Sequence, residues 1–318
     1  MSDMRNAGWR FLFAPQSSIW LTALRIGLGL QVLFYGISLH GDWLEVLSGE
    51  NQGLIRRDLT EAMLSADSPL IPRVGWIVDA GAYLGLTERT VLWSVWAVLI
   101  LTALLLVVGL FCRTASVVTW LLYVCTAKSA NLLSYGLDNF TIIGLFYLAI
   151  APLPDAWSLD ARWRGIRLRS NSLHGLHRRV LQLHVCIIYF FGGIAKCAGH
   201  GWWNGESLWR ALTRAPFDIV PPDVLIRAGF LLQVIGILVC VIEATYPFFI
   251  WPRKTRLPWF TAILGMHVGI GLLMGMYLFA GIMIVLNVAA FGPEFLFRER
   301  WPKNSLSVGP TDSVAMGS

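Results

Sequence analysis

The stretch VLWSVWAVLILTALLLVVGLF, residues 91–111, decides the fold. It carries no charge and is longer than the about 20 apolar residues a helix needs to cross a bilayer. Arg89 precedes it and Arg113 follows it, so charge returns at both edges. Reading outward, seven further segments repeat the pattern: Ile19–Leu39, Thr114–Ser134, Asn139–Leu153, Val180–Ala198, Arg227–Ile250, Pro258–Gly275 and Tyr277–Phe295. The expected fold is therefore all-α: a polytopic helical bundle in a membrane, with about eight transmembrane helices. Composition agrees. Of the 318 residues 56% are hydrophobic and 14% are charged, against about 25% charged in a soluble chain. That balance excludes a disordered protein, a disulfide-stapled small domain and an ordinary soluble enzyme.

Orientation follows from where Arg and Lys collect, because cytoplasmic loops hold the excess. With the N-terminus inside, the clusters Arg162/Arg164/Arg167/Arg169/Arg178/Arg179, Arg253/Lys254/Arg256 and Arg298/Arg300/Lys303 all fall on the inner side. Both termini are then cytoplasmic, in what is expected to be a bacterial inner membrane. The acid-rich stretch from His40 to Thr90, with Pro69 and Pro72, becomes an extracytoplasmic cap between the first two spans, with a short helix around Trp76–Leu86. The net charge of +6 belongs to this asymmetry. No basic run is interleaved with exposed aromatics as a nucleic-acid surface requires, so the expected partners are membrane lipids and not nucleic acid. Residues 1–15 read as an interfacial segment, with Trp9, Phe11, Leu12 and Phe13 beside Arg5 and Arg10 and no cleaved signal peptide. Residues 16–298 form the membrane domain, and 299–318 a polar, disordered tail. The five cysteines include no CxxC pair and read as small packing residues, so neither a disulfide framework nor a metal site is expected.

Ionisable residues inside spans are costly and mark function or pairing. They are Arg25, Lys128, Asp138, His184, Lys196, Glu243 and His267. Arg25 and Glu243 lie at similar depths when counted from the inner ends of their segments, which predicts a structural ion pair between them. A second set gathers near the outer side: Lys128, Asp138, Asn139, Lys196, His200, Trp202 and Trp203. Gln182, Tyr189 and Lys196 are spaced by seven and share one helix face. That face either looks into a cavity, or Lys196 snorkels to the interface with the tryptophans as belt residues. Gly192 and Gly193 beside it would let a helix or a flat cofactor ring come close to the backbone. His267, among Gly265, Gly269, Gly271 and Gly275, reads as a packed, hydrogen-bonded histidine.

Several patches, in order, resemble the horizontally transferred transmembrane (HTTM) domain, the membrane part of vitamin K-dependent gamma-carboxylases. They are Ala23-Leu24-Arg25-Ile26, Ser134-Tyr135-Gly136-Leu137-Asp138-Asn139, Trp157-Ser158-Leu159-Asp160, Tyr189 to Lys196 with Trp203-Asn204-Gly205, Glu243 with Pro247, and His267 before Phe279. The resemblance implies an active site on the outer face, with reduced vitamin K or another quinol as cofactor and no metal. In those enzymes the oxygenated quinol supplies the base that opens a glutamate to carbon dioxide, a lyase-type reaction. The family's catalytic lysine falls on Lys196. Asp138, Asn139, Lys128 and His200 become orienting or proton-handling residues, and Lys128 the cation that would make Lys196 a base. Tyr189, Gly192, Gly193 and Trp203 become cofactor-binding residues. The family's Asn-His pair is Asn139-Phe140 here. The substrate is then a small molecule or a peptide delivered by a partner protein. Two alternatives stand beside the enzyme: a non-enzymatic transporter or assembly subunit, and a DoxX-like quinone-linked redox subunit.

Overall fold

In the computed structural model residues 2–49, 56–166 and 170–296 are described. Helices make up their secondary structure; the β-pairing among them is an isolated bridge between Gln16 and Asn171. The eight apolar segments are the eight long helices: α1 (Ile19–Ser38), α2 (Glu88–Val108), α3 (Cys112–Ser129), α4 (Gly136–Ile150), α5 (Ser172–Ala198), α6 (Gly229–Phe249), α7 (Arg253–Met274) and α8 (Tyr277–Phe291). Five of them, α1, α2, α5, α6 and α7, are long and apolar enough to cross a membrane, while α4 and α8 are shorter apolar helices. The tail 299–318 and the outer part of the 162–179 arginine cluster, Arg167 and Arg169, lie outside the described residues.

Helices α1 and α8 form the centre. Helix α1 packs on α2, α4 and α8, and α8 also packs on α4, α5 and α7; α6 closes the other side against α5 and α7. The core they enclose holds Trp20, Leu24, Leu28, Tyr123, Leu145, Tyr246, Leu286 and Phe291. Close approach is built in at α5–α6, where a Cβ on Gly193 would collide with the backbone of Ala244. This is the small-residue packing that lets helices meet in lipid without a hydrophobic drive between them.

Between α1 and α2 the chain forms short helices at Trp43–Leu47, Arg57–Asp67 and Val74–Tyr83, the last a few residues ahead of the expected 76–86. They dock on the bundle by polar contacts. Trp43 Nε1 donates to the Leu92 carbonyl at 2.9 Å, and Arg57 bridges to Glu88 at 2.6 Å. Ser129 at the end of α3 donates to Glu61 at 2.6 Å and accepts from the Val74 N–H at 2.8 Å.

The turn between α2 and α3 shows tertiary structure supplying what local sequence lacks. Helix α3 begins after Phe111, which has no capping side chain and a left-handed φ of 49°. Asp160, on the short helix Leu159–Trp163, caps it from outside. Its carboxylate accepts from the Phe111 N–H at 3.0 Å and the Cys112 N–H at 2.7 Å. Burial works against charge on Asp160, but these two N–H groups outweigh it and hold the carboxyl below the ordinary carboxylate range.

The expected Arg25–Glu243 pair is replaced by two others. Arg25 Nε meets Asp155 Oδ2 at 2.5 Å with both side chains fully buried. Thr22 donates to the same carboxylate, and the other arm of Arg25 donates to the carbonyls of Leu106 and Val107 at the end of α2. Gly109, at φ 82°, makes the room: a Cβ there would lie 3.0 Å from the guanidinium carbon. Glu243 instead meets Lys196. Depth counted from helix ends assumes that the ends share a plane. Here α5 has 27 residues and α6 has 21, and Gly193 lies beside Ala244. Glu243 is therefore level with the last turns of α5, while Arg25 is level with the end of α2.

Candidate functional site

Helix α5 turns Gln182, Tyr189 and Lys196 toward α6 and α8. Gln182 and Tyr189 are buried, and Gln182 donates to the Ala290 carbonyl at 2.7 Å. The stripe thus faces the interior of the bundle. At its C-terminal end Lys196 Nζ lies 2.5 Å from Glu243 Oε2, with the lysine side chain 26% exposed and the glutamate 7%. Gly192 sits beside the pair; a Cβ on it would come 3.3 Å from Glu243 Oε2 and 3.7 Å from Lys196 Nζ. The ring of Trp202 covers the ammonium at 5.6 Å, a cation–π contact. Trp203 anchors the turn after α5 by donating to the Cys197 carbonyl at 2.8 Å.

One turn and more below, a second polar cluster fills the space between α5, α6, α7 and α8. Tyr189 Oη lies 2.7 Å from His267 Nε2. Asn287 Nδ2 donates to Tyr189 Oη at 2.7 Å and to the Met283 carbonyl at 2.8 Å. Tyr246 donates to Asn287 Oδ1 at 2.7 Å. All four side chains are buried. His267 is therefore hydrogen-bonded, as its sequence setting implies, but its Nδ1 is buried with no partner among the described residues. Phe279 packs on the imidazole with ring centres 6.0 Å apart, and on Phe140 and Tyr135 at 6.1 and 6.5 Å.

The remaining residues singled out in the sequence lie apart from this pair. Asp138 is buried at the start of α4, where it accepts from the Tyr135 N–H at 3.1 Å and from Tyr123 Oη at 3.2 Å; that is a helix-start role. Asn139 and His200 are exposed, and His200 Nδ1 lies 3.4 Å from Asn204 Nδ2. The Lys128 side chain forms no ion pair or hydrogen bond among the described residues. The charge that meets Lys196 is a carboxylate, not the cation assigned to Lys128. Among the described residues no group of three His, Cys, Asp or Glu side chains stands at metal-binding geometry.

Sequence reading overlooked Asp155, Tyr246 and Asn287. Asp155 follows Pro152-Leu153-Pro154 and looks like a solvated loop acid. Tyr246 passes for an interfacial aromatic. Asn287 did leave a signal, as a lone amide inside the apolar run IVLNVAAF, residues 284–291.

Chemically, the Lys196–Glu243 pair holds one proton between two groups that can each carry it, in surroundings poor in water. A proton can pass between the two without changing the net charge of the pair, whereas losing one to, or taking one from, a third group leaves a single uncompensated charge. A family model described as HTTM domain matches residues 82–294, which spans α2 to α8 and both clusters. No curated protein and no solved structure matches the chain.

Proposed function

We propose, from the premise that the chain belongs to the HTTM-domain family, that it is an integral-membrane enzyme related to the gamma-carboxylase membrane domain. It takes a quinol as cofactor and modifies a small molecule or a partner-delivered peptide on the outer face. The observation that carries this reading is the Lys196–Glu243 pair, a partly exposed lysine on a buried carboxylate, at the residue where the resemblance places the catalytic lysine. A buried ion pair contributes little net stability over an apolar one, and a membrane interior penalises it further. Its position beside a glycine and an aromatic ring therefore favours a chemical role.

The residues present fit a flat, oxygen-bearing ring. Trp202 lies over the ammonium, His267 Nδ1 is a buried polar atom with no partner among the described residues, and Gly192 lets the Glu243 carboxylate and the Lys196 ammonium stand 3.3 and 3.7 Å from its Cβ position. A quinol there would supply reducing equivalents and, on reaction with oxygen, strong basicity. Lys196 and Glu243 would hold and pass the proton, and Tyr189 would orient His267. Reduced menadione, oxygen, labelled bicarbonate and a glutamate-rich peptide as carboxyl acceptor, given to the full chain in lipid nanodiscs, test the reading. Quinol oxidation well above that of empty nanodiscs is expected. Rates equal to empty nanodiscs would hand the protein to the non-enzymatic alternative, and oxidation without label fixation to the quinone-linked redox subunit.

The same reading has all eight long helices crossing the membrane, with both termini cytoplasmic and the 43–83 helices as an extracytoplasmic cap. The support is the common end shared by Arg178, Arg179 and Arg256, where Arg178 and Arg256 both reach Glu294 and Arg179 stacks on Trp251. Single-cysteine labelling is expected to reach residue 70 from outside and residue 164 from inside only. An impermeant reagent that labels residue 164 from outside reverses the orientation.

A further inference from the structure

The polarity of the cluster around Tyr189 can be worked out from its fixed members. The Met283 carbonyl can only accept, so the Asn287 atom 2.8 Å away is the amide nitrogen. That settles the amide orientation. Its Oδ1 then accepts from Tyr246, and its second N–H donates to Tyr189 Oη. His267 Nε2, 2.7 Å away, is then the acceptor for the phenolic proton of Tyr189; an Nε2–H donating to Oη instead would leave that proton without an acceptor among the described residues. A neutral imidazole whose Nε2 accepts carries its proton on Nδ1. The buried, unpartnered atom of His267 is therefore an N–H donor, and one that is costly to leave unmet.

Its surroundings narrow the acceptor. Phe279 lies against the imidazole, with Phe140 behind it, so the neighbourhood is apolar and aromatic. Lys196 acts electrostatically on His267, but its charge is matched by Glu243 at 2.5 Å. The site as a whole is neutral and gives no advantage to an anion. An uncharged carbonyl oxygen on an apolar ring satisfies all of this; a carboxylate does not.

We propose that His267 is a ligand-binding residue, whose Nδ1–H donates to a ring carbonyl oxygen of a quinone, with Tyr189 and Asn287 as positioning residues that set its tautomer. This rests on the quinol reading above and names the contact that reading lacks. The carbonyl-only quinone menadione is the probe. In the full chain with 15N-labelled histidine, in nanodiscs, the His267 signals are expected to show a protonated Nδ1 and a bare Nε2. The Nδ1 signal is expected to shift on adding menadione. His267→Phe is expected to weaken menadione binding about tenfold, the value of one buried hydrogen bond. Tyr189→Phe keeps the ring but removes the proton given to Nε2. It is expected to yield a tautomer mixture and weaker binding, which serves should His267→Phe fail to fold. A protonated Nε2 in the free protein, or menadione bound with the Nδ1 signal unmoved, overturns the proposal. If quinol oxidation persists in that case, the enzyme reading survives without it. If the wild-type chain neither binds menadione nor oxidises quinol, both fall.

Discussion

Asp155→Asn is expected to destabilise the protein by about 3–5 kcal/mol, the usual cost of stranding one charge of a buried pair. Arg25 and Asp155 are both fully buried, so water cannot take over the lost contact. The amide would retain the Thr22 and Trp157 N–H bonds in part, but it cannot neutralise the guanidinium. The damage would spread, because Arg25 ties α1 to the end of α2 and Asp155 ties both to the turn after α4. Arg25→Met alone should cost a similar amount by stranding the carboxylate. The double variant Arg25→Met/Asp155→Asn should recover much of the loss, since no charge is then left alone. Thermal unfolding of the four proteins in one detergent gives the coupling energy. Additive losses, with no recovery in the double variant, would show that the two side chains do not act as a pair. The same cycle between Arg25→Met and Glu243→Gln should give no coupling.

Lys196→Ala is expected to lower turnover by about 10²–10⁴-fold, the range for loss of a general acid–base group. The single variant also leaves the Glu243 carboxylate, 7% exposed, without its counter-charge, so lost activity alone would not separate chemistry from folding. The double variant Lys196→Met/Glu243→Gln separates them. It removes both charges, keeps the volume, and should cost less stability than Lys196→Ala alone, because no charge is left uncompensated. Its expected signature is intact folding with quinol oxidation at background. Lys196→Arg should not restore activity: a guanidinium can pair with Glu243 but does not release its proton. Full turnover in the double variant would make the pair purely structural and remove the main support for the enzyme reading.

Part of the site is legible in the sequence. Lys196 stood out because it is an ionisable residue in an apolar segment, on one face with Gln182 and Tyr189, after two glycines. Each of these is a feature of local spacing along one helix. Its partner could not be found that way, and Arg25 was given the wrong one. Glu243 lies 47 positions from Lys196, and Asp155 lies 130 from Arg25. Which charges meet depends on how far each helix slides along its neighbour, and periodicity within a helix carries no information about that offset. The same limit applies to the cation assigned to Lys128: counting along the chain offered a neighbour for Lys196, and the charge that meets it is Glu243.

What the sequence determined alone is the all-helical membrane fold, the eight segments that become long helices, and the inward face of α5. Apolar runs of this length fold into helices in hydrocarbon, because a helix satisfies its backbone polar groups within the segment itself. What only the tertiary structure decided is the polar wiring. Asp160 caps α3 from another helix because Phe111 cannot. Asp155, hidden behind two prolines, becomes the partner of Arg25. Asn287 aligns Tyr246, Tyr189 and His267 into one chain of hydrogen bonds across α5, α6, α7 and α8. Hydrogen bonds and ion pairs are decided within a few ångströms. Those distances are set by the offsets and rotations of packed helices, through contacts such as Gly193 on Ala244.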